Sequence, residues 1–163
     1  VNLSRKHMGK PNLVAYLTTI VDSYGVEHSM IEFELTESVA YENPGYMISV
    51  MTELRERGFT VSMDDFGTGY SSFGLLREMP LDTLKIDKSF IDVKATGEDT
   101  KKSLIILGHI ISMAKELGLN CIAEGAEEYE QVVALKKLGC ETVQGYYYSK
   151  PLPVREFEAK YLK

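Results

Sequence analysis

The chain has 163 residues, 44% of them apolar, and a formal net charge of −6. That length and apolar content suit one ordinary globular domain with a real core. The acidic balance excludes a broad nucleic-acid surface, which needs clustered Lys and Arg, but not a small phosphate-bearing ligand, because divalent metals can sit between carboxylates and phosphate. The longest apolar runs, such as Leu104-Ile105-Ile106-Leu107, are far too short to span a bilayer. The opening residues do not read as a charged-then-apolar leader. Cys121 and Cys140 have neither metal-ligand nor scaffold spacing and read as buried thiols of a reducing, cytoplasmic compartment.

In chain order, periodicity predicts a first helix from about Pro11 to Ser23, with Leu13, Val14, Leu17, Ile20 and Val21 on one face. Gly25 follows it, then a strand from Ile31 to Thr36. Asn43 caps the next helix and Pro44 takes its first position. Met47, Val50, Met51 and Leu54 form its apolar stripe, and Gly58 stops it. A strand from Phe59 to Asp64 leads into a Gly- and Ser-rich loop, Gly67 to Ser72, and a short helix. Leu84 to Asp87 is another short strand. Thr100 caps a long helix whose stripe is Ile106, Ile110, Met113 and Leu117, ended by Gly118. Leu119 to Glu124 is the next strand, followed by a helix with Val132, Leu135 and Leu138 that ends at Gly139. The last strand is Glu141 to Tyr146, and a final helix starts after Pro153.

Strands alternating with helices imply right-handed βαβ units and a parallel sheet. Each strand is apolar early and polar at its C-terminal end: Glu34, Asp64 with Asp65, Lys85, Glu124 and Gln144. In a parallel barrel those ends share one face, where such folds place their chemistry. Singly, each residue has a plain explanation. Asp64-Asp65 ahead of Gly67 is turn chemistry. Glu34 and Glu37 make a solvated strand end, Lys85 a surface lysine, Glu124 and Glu127 acids at a helix start, and Gln144 an ordinary amide. The Gly67 to Ser72 loop lacks the Gly-Lys-Ser/Thr ending of a phosphate loop. His7, His28 and His109 show no ligand spacing, and the run Tyr146-Tyr147-Tyr148 reads as barrel packing. Jointly, acids gathered on one rim need a compensating cation. Their oxygen donors suit Mg²⁺ or Mn²⁺ rather than zinc, and two such ions can clamp a phosphodiester and activate a water.

The segments bearing these residues are Asn2-Leu3-Ser4, Glu34-Leu35-Thr36-Glu37-Ser38, Asp64 to Ser72, Leu84 to Ile91, Ala123-Glu124-Gly125-Ala126-Glu127 and Gln144 to Pro151. In order and spacing they resemble the EAL-domain cyclic-di-GMP phosphodiesterases over essentially the whole chain. The resemblance implies an α/β fold, a TIM-like (β/α)8 barrel of the EAL type. It is expected to be incomplete and to miss its first two strands, because no Glu-Ala-Leu motif occurs, Val1-Asn2 falls in the third strand, and a full barrel has about 250 residues. Residues 1–163 would form a single barrel domain, from the third strand to the C-terminal helix. Small departures are Ala126 and Glu128, where Val and Thr are usual, and Tyr148, where Phe is common.

The resemblance further implies site roles. Asn2, Glu34 and Asp64 look like ligands of a first metal, Asp64 and Asp65 like the bridge to, and a ligand of, a second. Lys85 looks like the catalytic cation beside the attacking water and the scissile phosphate, and Glu124 like a general base or metal support; Asp65 joins them in the catalytic set. Glu127 and Gln144 match substrate-binding positions, and Glu37 matches the residue that holds the Asp64 to Gly67 loop. The implied reaction is metal-dependent hydrolysis of cyclic di-GMP to linear pGpG, without DNA, RNA or membrane partners. The missing glutamate is expected to impair this fragment, and its open side to favour a homodimer or other self-association. The alternative is a catalytically inactive cyclic-di-GMP-binding or protein-interaction regulatory module. A third reading is another metal-dependent barrel hydrolase.

Overall fold

A computed structural model describes residues 1–7, 10–68, 73–91 and 98–162. Five parallel strands lie side by side in chain order: β1 Glu32–Thr36, β2 Thr60–Phe66, β3 Thr83–Ile86, β4 Asn120–Glu124 and β5 Thr142–Gln144. Parallel neighbours cannot be joined by a tight turn, so each connection returns along the sheet through helix. Helices α2 Glu37–Glu42 and α3 Pro44–Glu56 join β1 to β2, α4 Phe73–Glu78 joins β2 to β3, α5 Glu98–Glu116 joins β3 to β4, and α6 Tyr129–Lys137 joins β4 to β5. Helix α1 Leu13–Ser23 precedes β1, and α7 Val154–Tyr161 follows β5. The chain start also joins the sheet. The Leu3 amide donates to the Glu34 carbonyl at 2.8 Å, and the Glu34 amide donates to the Val1 carbonyl at 2.9 Å, making a parallel bridge at Asn2.

The strands alternate rather than turning polar only at their ends. Phe33, Leu35, Val61, Met63, Leu84, Ile86 and Ala123 are buried and meet across the register, Phe33 opposite Val61, Met63 opposite Leu84, Ile86 opposite Ala123. They pack with Met47, Val50, Met51 and Leu54 of α3, with α5 and with Leu135 of α6 in one core. The opposite face carries Glu32, Glu34, Ser62, Thr83 and Lys85, with Glu34 level with Ser62 and Ser62 level with Thr83. On that face the Thr83 hydroxyl donates to Glu32 Oε2 at 3.1 Å, bridging β3 to β1. A barrel interior is ordinarily filled by branched apolar side chains; here it is lined by polar groups that must satisfy one another. Among the described residues no helix is long and apolar enough to cross a membrane.

Several expectations change. Helix α2 was not anticipated; its six residues are too few for a periodic signal. Asn43 caps α3 as expected, its side chain accepting from the Tyr46 amide at 3.3 Å. Thr100 does not cap the long helix: it lies inside α5, Glu98–Glu116. The α5 stripe is also rotated. Leu107, Ile110, Ile111 and Ala114 are buried, while Ile106 and Leu117 are about half exposed, at 50% and 51%. The run from Leu104 to Ile111 is apolar almost all round, so periodicity could not choose a face; the sheet and the close approach of Gly108 to Leu138 choose it. The three tyrosines after β5 are exposed rather than packed in the interior; Tyr147 stands edge-on to Tyr148 at 5.0 Å and tilted to Tyr129 at 6.3 Å, and Lys150 Nζ lies 5.5 Å from the Tyr146 ring. β5 is shorter than the Glu141 to Tyr146 span expected. The expected loop residues 69–72 lie outside the described residues.

Candidate active site

Lys85, third of the four residues of β3, is 5% exposed. Its Nζ lies 2.7 Å from Glu124 Oε1, 3.0 Å from Glu34 Oε1 and 3.3 Å from Asp64 Oδ1. Those carboxylates come from β4, β1 and β2, so four neighbouring strands meet at one ammonium. A bulge in β2 makes room. Met63 pairs with Leu84 and Phe66 with Ile86, so Asp64 and Asp65 together oppose the single residue Lys85. Asp65 accommodates the extra residue with a left-handed backbone, φ 54°, which Asp tolerates better than most side chains. Its amide donates to Asp64 Oδ1 at 3.0 Å and fixes that carboxylate.

Burial alone would push the Lys85 pKa down. Glu124, Glu34 and Asp64 outweigh it and hold the ammonium well above the ordinary lysine value. Burial raises Glu124, helped by the charge of Asp64 and opposed by Lys85. Asp65 is raised by burial first and then by Asp64 and Asp87. Burial also acts to raise Asp87, but hydrogen bonds from Ser89 and the Lys88 backbone, with the Lys88 charge, hold it below the usual carboxylate range.

The remaining expected residues are placed less directly. Glu37 opens α2, is 2% exposed, and its Oε2 accepts from the Gly67 amide at 3.0 Å, which ties the end of β2 to the end of β1. Asn2 is exposed and reaches the sheet through backbone pairing beside Glu34. Gln144 ends β5 level with Glu124, and its side chain is exposed, as is that of Glu127. Glu124, Glu127 and Gln144 line a cavity of about 580 Å³ with Asp87, Lys88 and Tyr146. Two supports were not foreseen. Gln131, buried on α6, accepts from the amides of Glu127 and Glu128 at 2.7 and 2.9 Å and donates to the Ile91 carbonyl, which anchors the loop after β4. Gly145 lies so close to the backbone of Ala126 that any Cβ would overlap it. The Gly in Gln144-Gly145 was the available signal for that close approach; nothing in the sequence marks Gln131.

Glu34, Asp64 and Glu124 are hard oxygen donors, the type that Mg²⁺ and Mn²⁺ take. Glu124 Oε1 is fully buried and 2.7 Å from the Lys85 ammonium, and a carboxylate oxygen so paired still has a lone pair to offer. In donor chemistry the cluster therefore fits a divalent cation. Among the described residues no three of His, Cys, Asp and Glu are disposed to hold one as they stand, the carboxylates being turned onto Lys85.

The sequence that builds this site matches the family model of the EAL domain over residues 1–151. The chain belongs to the EAL domain family. It is 40% identical over 159 residues to the cyclic di-GMP phosphodiesterase NbdA of Pseudomonas aeruginosa, covering 97% of this chain and 20% of that protein. Among solved structures, the PaMucR phosphodiesterase in complex with c-di-GMP aligns with a TM-score of 0.88 and 33% identity, over 96% of this chain and 62% of that one. The manganese and cyclic-di-GMP complex of Klebsiella pneumoniae BlrP1 aligns with a TM-score of 0.84 and 27% identity, over 93% of this chain and 38% of that one. The chain thus spans about a fifth of the length of NbdA. Its five parallel strands are an arc of the TIM-like EAL barrel.

Proposed function

We propose that the chain carries the catalytic face of a cyclic-di-GMP phosphodiesterase, which hydrolyses one phosphodiester of the cyclic dinucleotide to linear pGpG with Mg²⁺ or Mn²⁺. The observation that carries this reading is the buried Lys85 ammonium held by carboxylates of three other strands at one end of a parallel sheet. The adjoining cavity of about 580 Å³, with Lys88 on its wall, supports a phosphate-bearing ligand of nucleotide size. The names of NbdA and PaMucR support the substrate, and the manganese complex of BlrP1 supports the metal.

In this reading Glu34, Asp64 and Asp65, with Asn2, would hold the divalent ions. When bound, the ions supply positive charge to the phosphate oxygens and acidify water. Lys85 presents a fixed positive charge to the phosphate and orients the attacking water. Glu124, whose pKa burial raises, accepts that water's proton. Gln144 and Glu127 bind the nucleotide from the cavity wall, and Glu37 keeps the Asp64 to Gly67 loop in register. Residues 1–163 act as one incomplete barrel domain, from the third strand to the C-terminal helix, in the cytoplasm, with cyclic di-GMP as the partner and neither DNA nor RNA.

The test is turnover of cyclic di-GMP with Mn²⁺, products separated by chromatography, with ligand affinity measured in parallel. The expected result is pGpG formation that falls about 100-fold or more in Glu124→Gln, the scale of a lost general base, with cyclic-di-GMP affinity kept. Equal turnover in the variant overturns the assignment of Glu124. Tight binding with no pGpG from the parent chain overturns the enzyme reading in favour of a regulatory binding module.

A further inference from the structure

We infer that Cys121 and Cys140 form a reversible oxidation site, at which a hydroperoxide converts the two thiols to a disulfide tying β4 to the start of β5. Cys121 is the second residue of β4, and Cys140 follows α6 just ahead of β5. Because Ile122 pairs with Thr142, Cys121 stands level with Glu141, and Cys140 lies one step away on the neighbouring segment. Strand spacing and rise then put the two Cα atoms roughly 6 Å apart, inside the roughly 4.4–6.8 Å that a disulfide spans. The Cys140 side chain reaches back to β4. Cys140 Sγ lies 3.8 Å from the Cys121 carbonyl oxygen and 3.3 Å from that of Thr142. Cys121 alternates with Ile122 and shares the helix-facing side of β4 with Ala123, so the pair sits away from the carboxylate cluster.

The surroundings distinguish the two sulfurs. The Cys121 thiol, backbone groups at Thr142 and Ala123, and the Lys115 ammonium hold Cys140 down, to about 7, against the effect of burial. The neighbouring Cys140 sulfur and burial push Cys121 up. Lys115 is placed for this by Glu141, 3.5 Å away, and by the absence of a side chain at Gly139, against which its Nζ lies. The thiolate is the reactive form, so Cys140 is the attacking sulfur. Its thiolate attacks one peroxide oxygen, the O–O bond breaks, and Cys140 becomes a sulfenic acid as hydroxide or alkoxide leaves. The Cys121 sulfur then attacks the sulfenic sulfur, the S–O bond breaks, and its thiol proton departs with the hydroxide as water. Two electrons pass from the thiols to the peroxide, and a small dithiol restores both. Cys140 is only 4% exposed, which favours a small oxidant and an internal partner.

The test treats the full chain with hydrogen peroxide near pH 7.5, alkylates the remaining thiols, digests without reduction and maps peptides by mass spectrometry. Peptides are read rather than the intact mass because the seven methionines oxidise alongside. The expected result is one linked pair containing Cys121 and Cys140, lost after dithiothreitol. In Cys121→Ser, dimedone should label Cys140; in Cys140→Ser, Cys121 should stay unmodified at the same dose. Two alkylated, unlinked cysteines after peroxide treatment of the parent chain overturn the inference, and so does a disulfide found only between chains.

Discussion

Replacing Lys85 with Met removes the ammonium but keeps most of its apolar stem. Glu34, Asp64 and Glu124 then face one another without compensation. Removing one partner of a buried ion pair costs about 3–5 kcal/mol. The carboxylate side chains here are 15–21% exposed, so water relieves part of the repulsion and the low end, about 3 kcal/mol, applies. For a chain of this size that is a fall in Tm of roughly 6–12 °C. The deficit should depend on pH. Glu124, raised by burial and by Asp64, loses in the variant the Lys85 charge that opposes this, so its folded-state pKa lies further above the unfolded one and it favours folding at low pH and opposes it as pH rises. Near pH 4 the deficit should be small, and it should be largest above neutrality. Vacating the centre also leaves three oxygen ligands, so Mg²⁺ should raise the variant's Tm more than the parent's, as binding to the folded form requires. Urea unfolding at two pH values, with thermal melts with and without Mg²⁺, measures all of this. A variant as stable as the parent at pH 7.5, or a deficit that shrinks as pH rises, would refute the placement of Lys85 as the keystone of the cluster.

Four other outcomes follow from the same structure. Glu37→Gln weakens the bond to the Gly67 amide and should lower stability by about 1–2 kcal/mol, the scale of a charged hydrogen bond, with faster amide exchange at Gly67. Gly145→Ala forces a Cβ into the Ala126 backbone and should cost about 1–3 kcal/mol, read as a shift in urea midpoint at unchanged m. His28 stacks on Phe59 at 4.3 Å; its Nδ1 lies 2.5 Å from the Arg57 carbonyl and its Nε2 2.7 Å from Asp22 Oδ1, and those two bonds, backbone first, raise its pKa. Its contribution should therefore be complete below about pH 6.5, the unfolded value, and be lost as pH rises through the raised folded value, a slope that His28→Phe should remove from a pH series of melts. β5 pairs only with β4 among the described residues, and unpaired edges invite another chain, so light scattering should find association that grows with concentration; a monodisperse monomer throughout would count against it.

Features set by neighbouring residues could be read directly from the chain. Asn43-Pro44 announces a helix start because capping needs only the next few amides, and the structure has Asn43 bonded to Tyr46. Met47, Val50, Met51 and Leu54 announce a buried face because their spacing matches the helix, and all four are buried. Glu34, Asp64, Lys85 and Glu124 could be nominated together because parallel strands put equivalent ends on one side. What the sequence could not settle were relations between separate segments. The rotation of α5 depended on the sheet beneath it, the exposure of Tyr146 to Tyr148 on what packs beyond β5, and the meeting of Cys121 with Cys140 on the offset of two strands. The bulge that sets both Asp64 and Asp65 against Lys85 is likewise a matter of register between β2 and β3. Local propensity acts through bonds a few residues long, whereas the contacts of Lys85 are fixed by hydrogen-bond register across β1, β2, β3 and β4, and that register exists only once the sheet has formed.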